Sequence, residues 1–360
     1  MSKISGAGYT ITGVRSLPPM IKIHDQDRQE VWSWSPWEGA IKVGAGEVPL
    51  WASINLCWGR SVTEVKWGLP EALDGKEKIV AIVNYAAIVL DVEHKTLDFV
   101  AEIESSHTLA LLPGGFLAVA TSDKTQNDGI DIYDIVAYSS SQSSSPKPVQ
   151  RITGFPAIHG LVFDRHSQKL WAAGNDLSPA DNGNPSTPVL KAFAFMGRTV
   201  DSAQYPIERG TVRVFSIAQP AQLDIEWGDT QYKSWWNGAH DLIPVPNKRT
   251  LLITSDLDVH TFDIETFEFK HGNEVISEIM PGFKPVGERT AKSGQSLPRS
   301  DIKAISVDSA GNYLYVQAEW HDWFANQVRI INVQNELRPF DLQVPQQVYK
   351  SRWFGAVAGW

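Results

Sequence analysis

Three histidines hold the same place in a recurring pattern: His107 in SHTLALLPGG, His159 in IHGLVFD and His240 in AHDLIPVPN each stand before an apolar run that ends in a turn. Lys303 in IKAISVD has the same offset, and His159 and Lys303 each have an aspartate five residues on, Asp164 and Asp308. Lys66 in EVKW and either Lys350 or Arg352 in YKSRW take the corresponding place in further repeats. Imidazole, with a reference pKa of about 6.5, takes and returns a proton near neutrality. Lysine and arginine stabilise a carboxylate and the charge that grows next to it. Brought together, these residues would hold an anion and move a proton beside it. Any one of the histidines could instead cap a strand or satisfy a buried carbonyl. Three imidazoles could also hold zinc or copper. No two of them have short ligand spacing, however, and facing lysines would repel a cation, so neither metal nor cofactor is expected.

The elements that must position these residues are short β-strands. Runs such as SVTEVKWGL, EKIVAIVN, AAIVLDVEH and TLDFVAEI have the composition of strands and lack a 3.6-residue period. Similar units start at His107, His159, His240 and Ile302, each with a tight turn such as PGG, DRHSQ, PNKR or DSAGN. A faint repeat of roughly 40 to 50 residues signals a propeller, in which the first strand of each blade lines a central channel. The N-terminal MIKIHDQDRQEVWSWSP lacks an inner strand and the C-terminal YKSRWFGAVAGW supplies one, so the two ends are expected to complete one blade and leave no exposed edge. Six blades can be counted, and a seventh could hide in 38–58 or 219–236. The fold expected is all-β, a single propeller domain over 1–360 with a surface insertion at about 175–210.

Composition narrows the partners. A net charge of −9 with no basic stripe argues against nucleic acid, and any anionic ligand needs a local cationic pocket. No apolar stretch is long enough for a membrane helix, the start MSKISGAGYTITG lacks the apolar core of a secretory signal, and Cys57 is the one cysteine. Trp320, His321 and Trp323 in EWHDWF could stack on sugar rings, or pack, as aromatic residues at blade ends commonly do. GAGYT, VGAGEV and LPGGF are glycine turns with no following helix to cradle phosphate. Neither G-x-S-x-G nor H-E-x-x-H occurs.

The ordered set SHTLALLPGGFLAVATS, IHGLVFDRHSQKLWAAGN, AHDLIPVPNKRTLLITSD, DIKAISVDSAGNYLYVQAE and YKSRW resembles the L-rhamnose-α-1,4-D-glucuronate lyases, polysaccharide lyase family 42, and their uncharacterised seven-bladed relatives, over nearly the whole chain. The resemblance implies a seven-bladed β-propeller, extracellular and monomeric, that releases terminal rhamnose from glucuronate in gum-type side chains by β-elimination. It places the catalytic histidine at His107, with His159 and His240 beside it. Lys66, Lys303, Arg352 and Trp320 are the expected contacts to an oligosaccharide or polysaccharide substrate. A glycoside hydrolase and a glycan- or protein-binding scaffold are the alternatives. Hydrolysis normally needs two positioned carboxylates, whereas the strand starts offer imidazoles and amines.

Overall fold

A computed structural model describes residues 8–37, 42–43, 46–47, 56, 59–122, 127–138, 145–177, 187–197, 206–217, 238–290, 294–320, 322–341 and 346–360. Nearly all regular structure in these residues is β. In chain order the strands are β1 (Thr10–Arg15), β2 (Met20–His24), β3 (Glu30–Trp34), β4 (Lys42–Val43), β5 (Gly46–Glu47), β6 (Val62–Gly68), β7 (Lys78–Val83), β8 (Ala86–Asp91) and β9 (Leu97–Glu102). Then come β10 (Ser106–Leu112), β11 (Phe116–Thr121), β12 (Gly129–Asp134), β13 (Gln150–Thr153), β14 (Gly160–Asp164), β15 (Lys169–Asn175), β16 (Pro188–Phe195) and β17 (Ile207–Ser216). The last are β18 (Ala239–Pro244), β19 (Thr250–Ser255), β20 (Val259–Asp263), β21 (Phe269–His271), β22 (Ile302–Val307), β23 (Tyr313–Gln317), β24 (Gln327–Ile331), β25 (Leu337–Asp341) and β26 (Gln347–Trp353), with one short helix, α1 (Asn273–Ile279), between β21 and β22.

These strands form six antiparallel blades among the described residues, one fewer than the seven expected. The inner strands β26, β6, β10, β14, β18 and β22 lie side by side in that order, and β22 again touches β26. Of the two stretches that could have held a seventh blade, 42–47 instead adds two short strands to the outer edge of β9, and 219–236 lies outside the described residues. The span 175–210 is not one insertion either, because β16 and the start of β17 within it are regular strands of the fourth blade.

Packing explains the count. The core separates into six apolar clusters, each lying mainly between two neighbouring blades. Ile11, Val65 and Ile79 join the first and second. Leu109, Leu117 and Val89 join the second and third. Ala304, Leu314 and Val348 join the sixth back to the first. A blade covered on both faces has no polar face to show, and β7, β8 and β11 accordingly read as unbroken buried runs, KIVAIV, AAIVLD and FLAVAT. Inner strands approach closely enough that a Cβ on Gly160 would lie 2.3 Å from the Leu242 Cβ, which is why the residue after His159 is glycine.

The first blade contains both chain ends: β26 pairs with β1 from Thr10↔Trp353 to Arg15↔Gln347. Deleting residues 349–360 would strip β1 of most of this partner and expose the clusters on either side. Such a truncation is expected to lower the thermal unfolding midpoint of the whole protein. An unchanged midpoint would mean that β26 is dispensable.

Candidate functional site

The recurring histidine has a structural cause. In β10 the pairing runs Ser106↔Thr121 and then Thr108↔Ala120, so His107 is the extra residue of a bulge. The same skip isolates His240 in β18, Lys303 in β22 and Thr63 in β6. In β26 it falls at Tyr349 and Lys350, and His159 immediately precedes β14, its N–H bonded to the Ala173 carbonyl. A bulge re-aims a side chain out of the ladder. The ring centroids of His107 and His159 are 4.1 Å apart, those of His159 and His240 are 5.9 Å apart, and those of His107 and Tyr349 are 5.5 Å apart. Lys303 Nζ is 3.2 Å from His240 Nε2. His107, His159, His240 and Lys303 thus form one continuous cluster, with Tyr349 as an additional member.

Lys66 and Arg352 lie deeper. Each is the third residue after its bulge position, Thr63 and Tyr349, and each spans the channel. The Arg352 guanidinium donates to Glu64, Asp241 and the Ile305 carbonyl through Nε and both terminal nitrogens. Lys66 Nζ donates to the Leu109 and Leu161 carbonyls at 2.8 and 3.0 Å and pairs with Glu64. Lys350 Nζ, wholly buried, reaches the His240 and Lys303 carbonyls and Asp241. Lys66 and Arg352, expected as substrate contacts, have donors engaged within the protein and brace the inner strands beneath the mouth. Trp320 stands to one side. The Arg289 guanidinium lies 4.9 Å from its ring centroid, and Arg289 Nη2 is 3.6 Å from Asp301. His321 lies outside the described residues.

Electrostatics divides the histidines. Burial, reinforced by His159, Lys350, His240 and Lys303, pushes His107 well below the ordinary histidine range. Burial and His240 push His159 down to about 3. Both rings are neutral at pH 7. His159 Nδ1 lies 2.8 Å from the Ala157 carbonyl and must donate there, which leaves the lone pair on Nε2, 3.5 Å from Ser122 Oγ. His240 behaves differently. Burial lowers its pKa, but Asp256, 2.6 Å from Nε2, and Asp301, 2.9 Å away, outweigh that and raise it. With the ring protonated, Nε2–H points at these carboxylates, and the Lys303 ammonium is held by Asp301 rather than by the ring.

Tyr349 holds its phenolic proton, because burial and the nearby carboxylates raise its pKa well above the usual value; its hydroxyl lies 3.2 Å from His107 Nε2. Sequence reading missed Tyr349, Asp256 and Asp301. Counting from the bulge would have selected the tyrosine of YKSRW rather than its basic residues, whereas nothing local marks Asp256 as the partner of His240. His240, Asp256 and Asp301 offer three ligand atoms within 4.8 Å of one another. The ammonium of Lys303 already sits among them, which disfavours a cation there.

At the mouth His240 and Lys303 are balanced by Asp256 and Asp301, and the surplus of positive charge lies beneath it, in Lys66, Lys350 and Arg352 against Glu64 and Asp241. In a chain of net charge −9 this surplus is local. The mouth therefore combines two neutral imidazoles, a phenol and a Lys303/His240 pair held by two carboxylates, a set able to transfer a proton beside a bound anion.

No family model and no curated protein matches this chain. Among solved structures, it is similar to a protein of unknown function from Bacteroides caccae (9% identity, TM-score 0.48, covering 97% of this chain and 99% of that one). It is also similar to the Cps50 (Swd1) β-propeller domain of Myceliophteria thermophila (12%, 0.45, 92% and 86%). A chain of the mitotic checkpoint complex is a further likeness (12%, 0.44, 97% and 78%). These distant similarities assign neither activity nor ligand. Among the described residues, no helix is long and apolar enough to cross a membrane.

Proposed function

We propose that the mouth is the active site of a polysaccharide lyase that cleaves a 4-linked glucuronate by β-elimination, releasing the sugar attached at O4, a terminal rhamnose in gum-type side chains. The observation that carries this reading is the neutral His107 within hydrogen-bond reach of a protonated Tyr349, beside His159 and the Lys303/His240 pair. In glucuronate the C5 proton and O4 leave from one ring face, so base and acid must stand together, as His107 and Tyr349 do.

In the proposed step His107 Nε2 takes the C5 proton, the C5–H electron pair forms the C4=C5 double bond, and the C4–O4 bond breaks. Tyr349 gives its proton to O4, and the imidazolium then returns a proton to the phenolate. Lys303 and His240 face the uronate carboxylate and stabilise the enolate-like charge of the transition state. His159, neutral and 4.1 Å from His107, keeps a second positive charge away from the base. An extracellular location belongs to the same proposal, since gum glycans are met outside the cell.

Hydrolysis is less well served. Asp256 and Asp301, the carboxylates at the mouth, are tied to one imidazolium and one ammonium, and neither is placed to act as a free acid or base. Incubation with rhamnose-capped glucuronate side chains is expected to release rhamnose and leave a product with the ultraviolet absorbance of an unsaturated uronate. Rhamnose release with a saturated glucuronate would identify a hydrolase. Binding without cleavage would identify a lectin-like scaffold.

A further inference from the structure

The loop from β23 to β24, residues 318–326, carries three aromatic residues that the proton-transfer chemistry does not use. Its exit is fastened to the mouth. The Ala325 N–H donates to the Val348 carbonyl at 3.0 Å and the Val348 N–H donates back at 2.7 Å, one residue before Tyr349. The Phe324 ring stands edge-on to Tyr349 with centroids 5.9 Å apart, and its other contact is the Arg15 guanidinium, 4.3 Å from its centroid. Arg15 is in turn fixed by Gln347 Oε1 at 2.6 Å. At the loop's entry, Arg289 lies against the Trp320 ring and donates to the Ala318 and Val286 carbonyls and to Ser300 Oγ. Trp323, between these two anchors, is 57% exposed.

Two properties make this loop more than a surface tryptophan. It is held at both ends, so little ordering entropy is lost when a ligand docks on it. Its own exposed charges are acidic, while the guanidiniums of Arg15 and Arg289 lie against the Phe324 and Trp320 rings. The exposed side chains next to the tryptophans are Glu319 and Asp322, whose backbones close a turn through the Asp322 N–H and the Glu319 carbonyl. A uronate carboxylate is better placed at Lys303 and His240 than beside Glu319 and Asp322.

We infer that Trp320, Trp323 and Phe324 form a subsite for a neutral sugar ring covalently linked to the uronate in the mouth, with Trp323 as the platform on which its apolar C–H face packs. This rests on the reading of the mouth as a uronate site, and it adds the orientation of the substrate: charged ring over the histidines, neutral ring over the loop.

The test is calorimetric binding to the His107→Phe protein, in which turnover is slowed, using glucuronic acid and rhamnosyl-glucuronate as probes, with and without Trp323→Ala. The disaccharide is expected to bind more tightly than glucuronic acid. Trp323→Ala should weaken the disaccharide about tenfold and leave glucuronic acid within twofold, and Trp323→Tyr should restore most of the loss. Equal effects on both probes, or no effect on either, would overturn the subsite. If glucuronic acid fails to bind at any concentration while the disaccharide still binds in a Trp323-dependent way, the uronate reading fails and the subsite stands.

Discussion

Phenylalanine in place of His107 is expected to lower kcat for rhamnosyl-glucuronate elimination by 10² to 10⁴, the span typical of a lost general acid or base. The ring volume is retained, and His159, Tyr349 and Lys303 keep their own anchors, so substrate binding and the unfolding midpoint should change little. A loss in kcat with KM nearly constant is the signature of an interaction made in the transition state. The pH profile adds a second readout. His107 is held well below the ordinary histidine range by burial and its neighbours, so the base form survives below pH 6.5 and the acid limb of the wild-type rate should lie under that value. If His107→Phe retained activity within a few-fold, His107 would be structural. The base would then be sought at His159, whose Nε2 lone pair is also free of a backbone bond.

Methionine in place of Arg352 is expected to cost about 3–5 kcal/mol of stability, read as a fall in the denaturant midpoint with an unchanged slope. The physical reason is that Glu64 and Asp241 are fully buried and depend on this guanidinium, so its removal leaves two carboxylates facing each other with only the lysines to offset them. The triple replacement Glu64→Gln, Asp241→Asn, Arg352→Met should recover much of the loss, because no uncompensated charge remains. The sign of the pH dependence follows from the same network. Burial raises the Glu64 and Asp241 pKa values but the surrounding cations, Arg352 above all, outweigh it and lower both. Their contribution to stability is present above the usual carboxylate range and is lost as pH falls through it. The neutral His107 and His159 act in the same direction, since the unfolded chain binds their protons below about pH 6.5 while the folded one resists.

The architecture was legible because the propeller writes a local signal in each blade: a strand start, a glycine or asparagine turn, and an apolar second strand. The blade number was not. A count of six with two obscure stretches reads as six to eight, whereas the described residues form six blades, with β22 packed against β26 through an apolar cluster. The mouth was legible through His107, His159, His240 and Lys303 because the bulge fixes their register in every repeat. The depth of Lys66 and Arg352 was not legible, since three residues along a bulged strand is a change of depth that a repeat alignment does not display. Asp256 reaches His240 from the turn after β19 in the same blade, at the position that Ser122 holds after β11, and the change from a hydroxyl to a carboxylate there raises the pKa of that histidine.

The claim on which the account turns is that the C5–H bond breaks at this mouth. Rhamnosyl-glucuronate carrying deuterium at C5 of the uronate, incubated with the protein, tests it in one mass spectrum of the uronate product. The account requires an unsaturated product from which the deuterium has been lost to solvent, formed with equal release of rhamnose and abolished in His107→Phe. A saturated glucuronate that retains its deuterium would contradict it, since cleavage would then have occurred without proton removal.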